Sequence, residues 1–169
     1  MFTSFSDIPG HQNLFLDYLY EFDNAKQFYP HNFRDKTRYV PNFEEVLNSR
    51  IVNREALAAI IENQYNGFSA SAKTTKNIQQ LKLKKTLAVV TGQQIGILGG
   101  PMYTIYKIIT AIKLAAHLSV QHEDYNFVPV FWMESDDHDF EEIRFINIID
   151  TGNNNLRITY NDDFPLEEN

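Results

Sequence analysis

Residues 86–115, TLAVVTGQQIGILGGPMYTIYKIITAIKLA, decide the fold. The opening TLAVVT is a short uninterrupted apolar run, the pattern of a strand buried on both faces, as in a parallel sheet. Four of the chain's seven glycines follow within nine residues, from Gly92 to Gly100. Pro101 then suits a first helical position, where its missing N–H costs nothing. From there to Leu118 only Thr104, Lys107, Thr110, Lys113 and His117 are polar. Spaced three or four apart, they form one narrow stripe, which predicts a mostly buried helix. FVPVFWM, residues 127–133, reads as a second strand, with Pro129 tolerable near its start or at an edge. Strand, loop, helix and strand make a βαβ unit, so both strands point the same way and the loops after them open on one edge. The glycine loop is therefore expected to face MESDDHDFEEI, residues 133–143.

Outward from this unit, RFINIID, TGNNN and LRITY suggest two further strands and a polar turn. Residues 1–85 look helical, and 86–169 look α/β. In NLFLDYLYEF, Leu14, Phe15, Tyr18, Leu19 and Phe22 recur at helical spacing. PNFEEVL starts another helix, with Asn42 as cap and Glu45 three residues on, as in a capping box. NREALAAIIENQYNG predicts a third, capped by Asn53, with Leu57, Ile60, Ile61 and Tyr65 on one face and Asn66-Gly67 as its stop.

Composition bounds the function. The 169 residues suit one domain, and 43% hydrophobic with 14% aromatic residues favours folding. Zero cysteines exclude disulfides and thiolate metal sites and fit a reducing cytoplasm. The N-terminus lacks the basic start and apolar run of a signal peptide, and no stretch has the length of a membrane span. A net charge of −7 argues against general nucleic-acid binding, and the basic residues Lys73, Lys76, Lys82, Lys84 and Lys85 read as a solvated face.

A strand, a glycine loop and a helix start form a good anion site, because glycine permits close approach and the helix offers unpaired N–H groups. The candidates are Thr91, Gly92, Gln93, Gln94, Gly96, Gly99, Gly100 and Tyr103. Neither the P-loop nor the dinucleotide fingerprint is present, since Gly-Lys-Ser/Thr and G-x-G-x-x-G are absent. The facing loop carries Glu134, Asp136, Asp137, Asp139, Glu141 and Glu142 around His138. Six acidic groups repel an anion unless a metal or an ammonium group intervenes. Asp136, His138 and Asp139 have the chemistry to ligate a divalent metal; alternatively the carboxylates hold a substrate amine and Asp137 or His138 takes its proton. Spacing leaves both open. Trp132 is placed to stack on a ligand, although a strand tryptophan is more often core. The isolated His11, His31, His117 and His122 read as surface or capping residues.

TGQQIGILGGPMYTIYKIITAIKLA and VPVFWMESDDHDFEEI, in this order and separation, resemble the bacillithiol biosynthesis cysteine-adding enzymes, the cysteine ligase family BshC. The resemblance implies a Rossmann-like α/β core preceded by a helical segment, with helical insertions and a C-terminal coiled coil that makes a homodimer. It implies joining of L-cysteine to the amine of glucosaminyl malate, the last step of bacillithiol synthesis, with ATP as an open question. Members of the family are several times longer, so the chain reads as an N-terminal fragment with a truncated core. Two other readings compete: a metal-dependent hydrolase built on residues 136–139, and a non-catalytic small-ligand or nucleotide-binding module.

Overall fold

The computed structural model describes residues 3–49, 51–94, 96, 99–134 and 144–160. The chain divides into two compact units, Met1–Ile51 and Val52–Asn169.

The first unit is helical. Helices α1 (Asn13–Tyr20) and α2 (Phe22–Ala25) interrupt the expected single run at Glu21, whose φ of −129° and ψ of 57° leave the helical region. The apolar positions of that run build an aromatic cluster, in which Tyr18 packs on Phe22, Tyr29 and Phe33 with ring centroids 6.0, 4.6 and 5.1 Å away. Helix α3 (Tyr39–Ser49) starts earlier than its sequence pattern indicates. Asp35 accepts from the Thr37 N–H and caps a single 3-10 turn, Lys36–Arg38, that runs directly into it. Asn42 therefore lies inside the helix and is not its cap. Pro41 is tolerated because it sits within the first turn, where N–H groups lack intrahelical partners anyway.

The second unit holds the sheet. Helix α4 (Arg54–Gln64) is capped by Asn53, whose side chain accepts from the Ala56 N–H at 3.0 Å. It turns Arg54, Ala58 and Ile61 inward and leaves Leu57 and Ile60 exposed, so the inward stripe sits to one side of the expected one. Helix α5 (Ala72–Leu81), capped by Ser71, buries Ile78 and Leu81. Its lysines, Lys73 and Lys76, face solvent, as do Lys84 and Lys85, whereas Lys82, just past the end of the helix, is half-buried 3.7 Å from Glu62 and 4.0 Å from Glu55. Arg54 ties the layers together: one guanidinium nitrogen donates to the carbonyl oxygens of Leu81 and Thr86, at 3.1 and 3.2 Å.

Strands β1 (Thr86–Gln94) and β2 (Asn126–Glu134) pair in parallel from Thr86↔Asn126 to Gln94↔Glu134. Helix α6 (Met102–Gln121) connects them and packs on both. This is the α/β, Rossmann-like unit expected from the sequence. Phe127 and Val128 point to opposite sides of the sheet and both are buried, so both faces are covered at this end. Towards the other end Val90, Phe131, Trp132 and Met133 are exposed. The expectation of a strand covered on both faces fails for most of β1 itself, where Thr86 is buried and Leu87 half-buried but Ala88 and Val90 are exposed. Strands β3 (Phe145–Ile149) and β4 (Asn155–Thr159) form a separate antiparallel hairpin, with Asp150 accepting from the N–H groups of Gly152 and Asn154 in its turn.

Helix α6 departs most from its pattern. Pro101 is the N-cap, with extended ψ of 157°, and Met102 is the first helical residue. The buried seam is Thr104, Ala111, Ala115 and Leu118, while Ile105, Ile109 and Ile112 are exposed. A step of three residues falls about 60° short of a full turn, so three such steps carry a polar stripe from one face of a helix to the other. The stripe therefore starts in the core at Thr104 and reaches the outside by Lys113. Small alanines at the seam let the helix approach the strands closely.

Candidate functional site

The register places the candidate residues. Gly92 lies beside Trp132, Gln93 beside Met133 and Gln94 beside Glu134. The two strands consequently end at the same edge, as the βαβ reading required. Asp136, Asp137, His138 and Asp139, with Glu141 and Glu142, lie outside the described residues.

Gly92 is a glycine for packing reasons: a Cβ there would stand 2.7 Å from the Trp132 carbonyl oxygen. Gly96 and Gly100 approach each other just as closely, since a Cβ on Gly96 would lie 2.7 Å from the Gly100 Cα. Gly99 and Gly100 take φ of 91° and 79°, a left-handed backbone that L side chains rarely adopt. The Gly99 N–H donates to the Gly96 carbonyl at 3.1 Å, and this turn delivers the chain to Pro101 and the start of α6.

Helix α6 then folds back along the end of β1. Lys107 donates to the carbonyl oxygen of Gly92 at 3.1 Å and to Gln93 Oε1 at 2.9 Å. Its ammonium group also stands 5.1 Å from the centre of the Tyr103 ring, a cation–π distance. Gln93 Nε2 donates to Gln94 Oε1 at 2.9 Å. Beside this network a shallow groove of about 390 Å³ runs between β1 and α6, lined by Thr91, Tyr103, Tyr106, Lys107 and Thr110 among others. Thr104, only 6% exposed, has a hydroxyl with no hydrogen-bond partner among the described residues. That oxygen lies 3.5 Å from where a Gly100 Cβ would be.

On β2, Trp132 is 62% exposed and donates its indole N–H to Glu134 Oε2 at 3.1 Å. The usual preference for a buried strand tryptophan fails here because β2 is uncovered at this end. Among the described residues no group of three His, Asp or Glu side chains is arranged to hold a metal.

The spacing of polar residues places Lys107 only in the stripe of α6 and gives it no role at the site. The available signal was different: a lone cation near the start of an apolar crossover helix, on the turn that folds back over the strand it follows.

A βαβ unit that sends a glycine loop from the carboxyl end of its first strand into a helix defines a Rossmann-like α/β domain. The family profile described as "Bacillithiol biosynthesis BshC, N-terminal Rossmann-like domain" matches residues 1–168, and the chain belongs to this family. A protein of Chloroherpeton thalassium named "Putative cysteine ligase BshC" is 42% identical over 153 residues, 88% of this chain and 27% of the relative. Relatives of the same name from Natranaerobius thermophilus and Christiangramia forsetii are 37% identical over 164 residues and 39% over 136 residues. The chain spans 30% and 25% of their lengths. Among the described residues no helix is long and apolar enough to cross a membrane.

Proposed function

We propose that this chain is the N-terminal part of a cytoplasmic, homodimeric ligase that joins L-cysteine to the amine of glucosaminyl malate, the last step of bacillithiol synthesis. Membership of the BshC family supports the pathway. The observation that supports the chemistry is the Gln94↔Glu134 pair, which ends the parallel ladder immediately before the glycine loop on one strand and the acidic run of the sequence on the other.

Amide formation in water requires an activated carboxylate. In this reading the cysteine carboxylate is activated at the expense of ATP as a mixed anhydride, either an acyl phosphate with release of ADP or an acyl adenylate with release of pyrophosphate. The amine of the acceptor attacks the carbonyl carbon and a C–N bond forms. The phosphate or AMP leaves with the electrons of the broken C–O bond, and the amine gives its proton to Asp137 or His138. Gln93 supplies N–H donors to the developing negative charge, and the glycine loop takes the phosphoryl oxygens. Asp136 and Asp139 hold the amine as an ammonium group before it is deprotonated.

The test is full-length protein incubated with L-cysteine, glucosaminyl malate and candidate nucleotides, with the amide detected by mass spectrometry. Absence of the amide with every nucleotide would sink the reading. Asp137→Asn and His138→Ala test the base: at least one is expected to slow turnover by roughly 10²-fold or more, and near wild-type rates for both would remove it.

A further inference from the structure

The polar end of β1 has a direction, and Lys107 sets it. An ammonium group has donors and no acceptor, whereas a glutamine amide has one end of each kind. Lys107 donates to the Gly92 carbonyl oxygen and to Gln93 Oε1. Gln93 must then turn its oxygen towards α6 and its NH2 group away, where it meets the oxygen of Gln94. Rotating the Gln93 amide by half a turn would set its NH2 group against the ammonium and its oxygen against that of Gln94. Each donor-to-acceptor link polarises the next. Two links consume two of the three Lys107 hydrogens and one of the two on Gln93 Nε2, so donors remain at the strand end and the oxygen of Gln93 is occupied.

We propose that Lys107 is a positioning residue that holds Gln93 with its N–H groups outward, and so makes the mouth of the β1–α6 loop a receptor for an oxyanion. The oxyanion is a carboxylate or phosphoryl oxygen of a substrate. The buried Thr104 hydroxyl, in the first turn of α6 beside Gly100 and without a hydrogen-bond partner among the described residues, is a second polar group next to the same loop. This inference rests on the reading of that loop as a substrate site, but not on the identity of the product.

A simple clip between helix and strand would use the same lysine, so the test separates polarity from clipping. Full-length protein is titrated calorimetrically with inorganic pyrophosphate, with L-cysteine, and with cysteamine, which keeps the thiol and amine of cysteine without its carboxylate. Wild type is expected to bind pyrophosphate, L-cysteine or both, and the probe that binds tells which oxyanion the site takes. Cysteamine is expected to bind at least about tenfold more weakly than L-cysteine wherever L-cysteine binds. Lys107→Met weakens the bound probe at least about tenfold, and Lys107→Arg, which also has donors only, keeps it within about threefold. Gln93→Glu preserves the contact with Lys107 and the thermal midpoint, yet replaces outward N–H groups by a carboxylate oxygen and weakens binding at least about tenfold. A clip alone would leave Gln93→Glu binding like wild type.

Three results overturn the proposal: wild type that binds neither oxyanion, Lys107→Met that binds as well as wild type, or Gln93→Glu that does so. Should Lys107→Met fail to fold, the Arg and Glu variants still decide. All readouts are binding, so a protein that shows this pattern and makes no amide refutes the ligase reading alone.

Discussion

Two glycines of the loop are required for different reasons, and alanine and asparagine scanning should separate them. Gly92 lies in the ladder, where a Cβ would stand 2.7 Å from the Trp132 carbonyl oxygen and 3.1 Å from the Trp132 Cβ. Neither atom is the far end of a flexible side chain, so the strands must separate locally. Overpacking of this kind costs about 1–3 kcal/mol, and loss of glycine's freedom in the unfolded chain returns about 0.4–1 kcal/mol. Gly92→Ala is therefore expected to destabilise by about 1–2 kcal/mol, and the larger Gly92→Asn by more. Gly99 has nothing within 4 Å of its would-be Cβ, but its φ is 91°. There the cost of about 1–2 kcal/mol is conformational, and asparagine tolerates such a backbone better than alanine. Gly99→Asn should consequently be milder than Gly99→Ala, the reverse of the order at Gly92. Urea unfolding followed by far-UV circular dichroism reads these differences as midpoint shifts of about 0.5–1 M. An identical order of alanine and asparagine at both positions, or a Gly92→Ala midpoint at or above wild type, would refute the reasoning.

Other expectations concern the scaffold. Arg54→Met removes two charge-assisted bonds to the carbonyls of Leu81 and Thr86 and should cost about 1.5–3 kcal/mol in denaturant titration, against about 1 kcal/mol for loss of the Asn53 cap in Asn53→Ala. Ala115→Leu in the α6 seam should destabilise this chain by about 1–3 kcal/mol, whereas exposed Ile112→Ser should stay within about 0.5 kcal/mol of wild type. The hairpin turn should respond to acid. Hydrogen bonds from the backbone and side chain of Asn154, and from the Gly152 N–H, hold the Asp150 carboxyl below the usual aspartate range. Since the folded value is lowered, the contribution is complete above the ordinary value of about 3.9 and is lost as pH falls through the folded one. An NMR titration of the Asp150 carboxyl carbon should show a midpoint below the ordinary value, and a midpoint above it would contradict the geometry.

What the sequence made legible follows from range. The β1–α6–β2 unit was readable because its signals are local: an apolar run, a cluster of glycines, and a helix period that begins after Pro101. The Asn53 cap was readable for the same reason. The Asn42 cap was misread because a second capping residue, Asp35, and its 3-10 turn start the helix earlier, and both patterns obey the same rule. Burial was the least readable property. The polar stripe on α6 looked like one solvent face, yet residues three apart wind around a helix, so Thr104 enters the core while Ile105 does not. Trp132 looked like core because strand tryptophans usually are, but exposure depends on what lies over β2, and no local pattern encodes that. Placement of Asp136, Asp137, His138 and Asp139 lies outside the described residues, so their adjacency to the glycine loop rests on topology.

That topology also explains why a single lysine carries so much. In a parallel pair the last residues of both strands lie at the same edge, and the crossover helix begins at that edge and runs back along the strands. Among the described residues the first two turns of α6 lie along the end of β1, and within them Lys107 is the one side chain with a charge. Its neighbours on that flank, Tyr103, Tyr106 and Thr110, carry hydroxyl groups that both donate and accept, so none of them fixes the direction of an amide. A group that donates and cannot accept is required, and the Lys107 ammonium satisfies that requirement. Replacing Lys107 by glutamine, one bond shorter but able to accept as well as donate, should therefore leave α6 in place and let the Gln93 amide flip. Side-chain amide NMR resonances of Gln93 would report this as a second set of signals, and one unchanged set would show that the strand end holds its polarity without the charge.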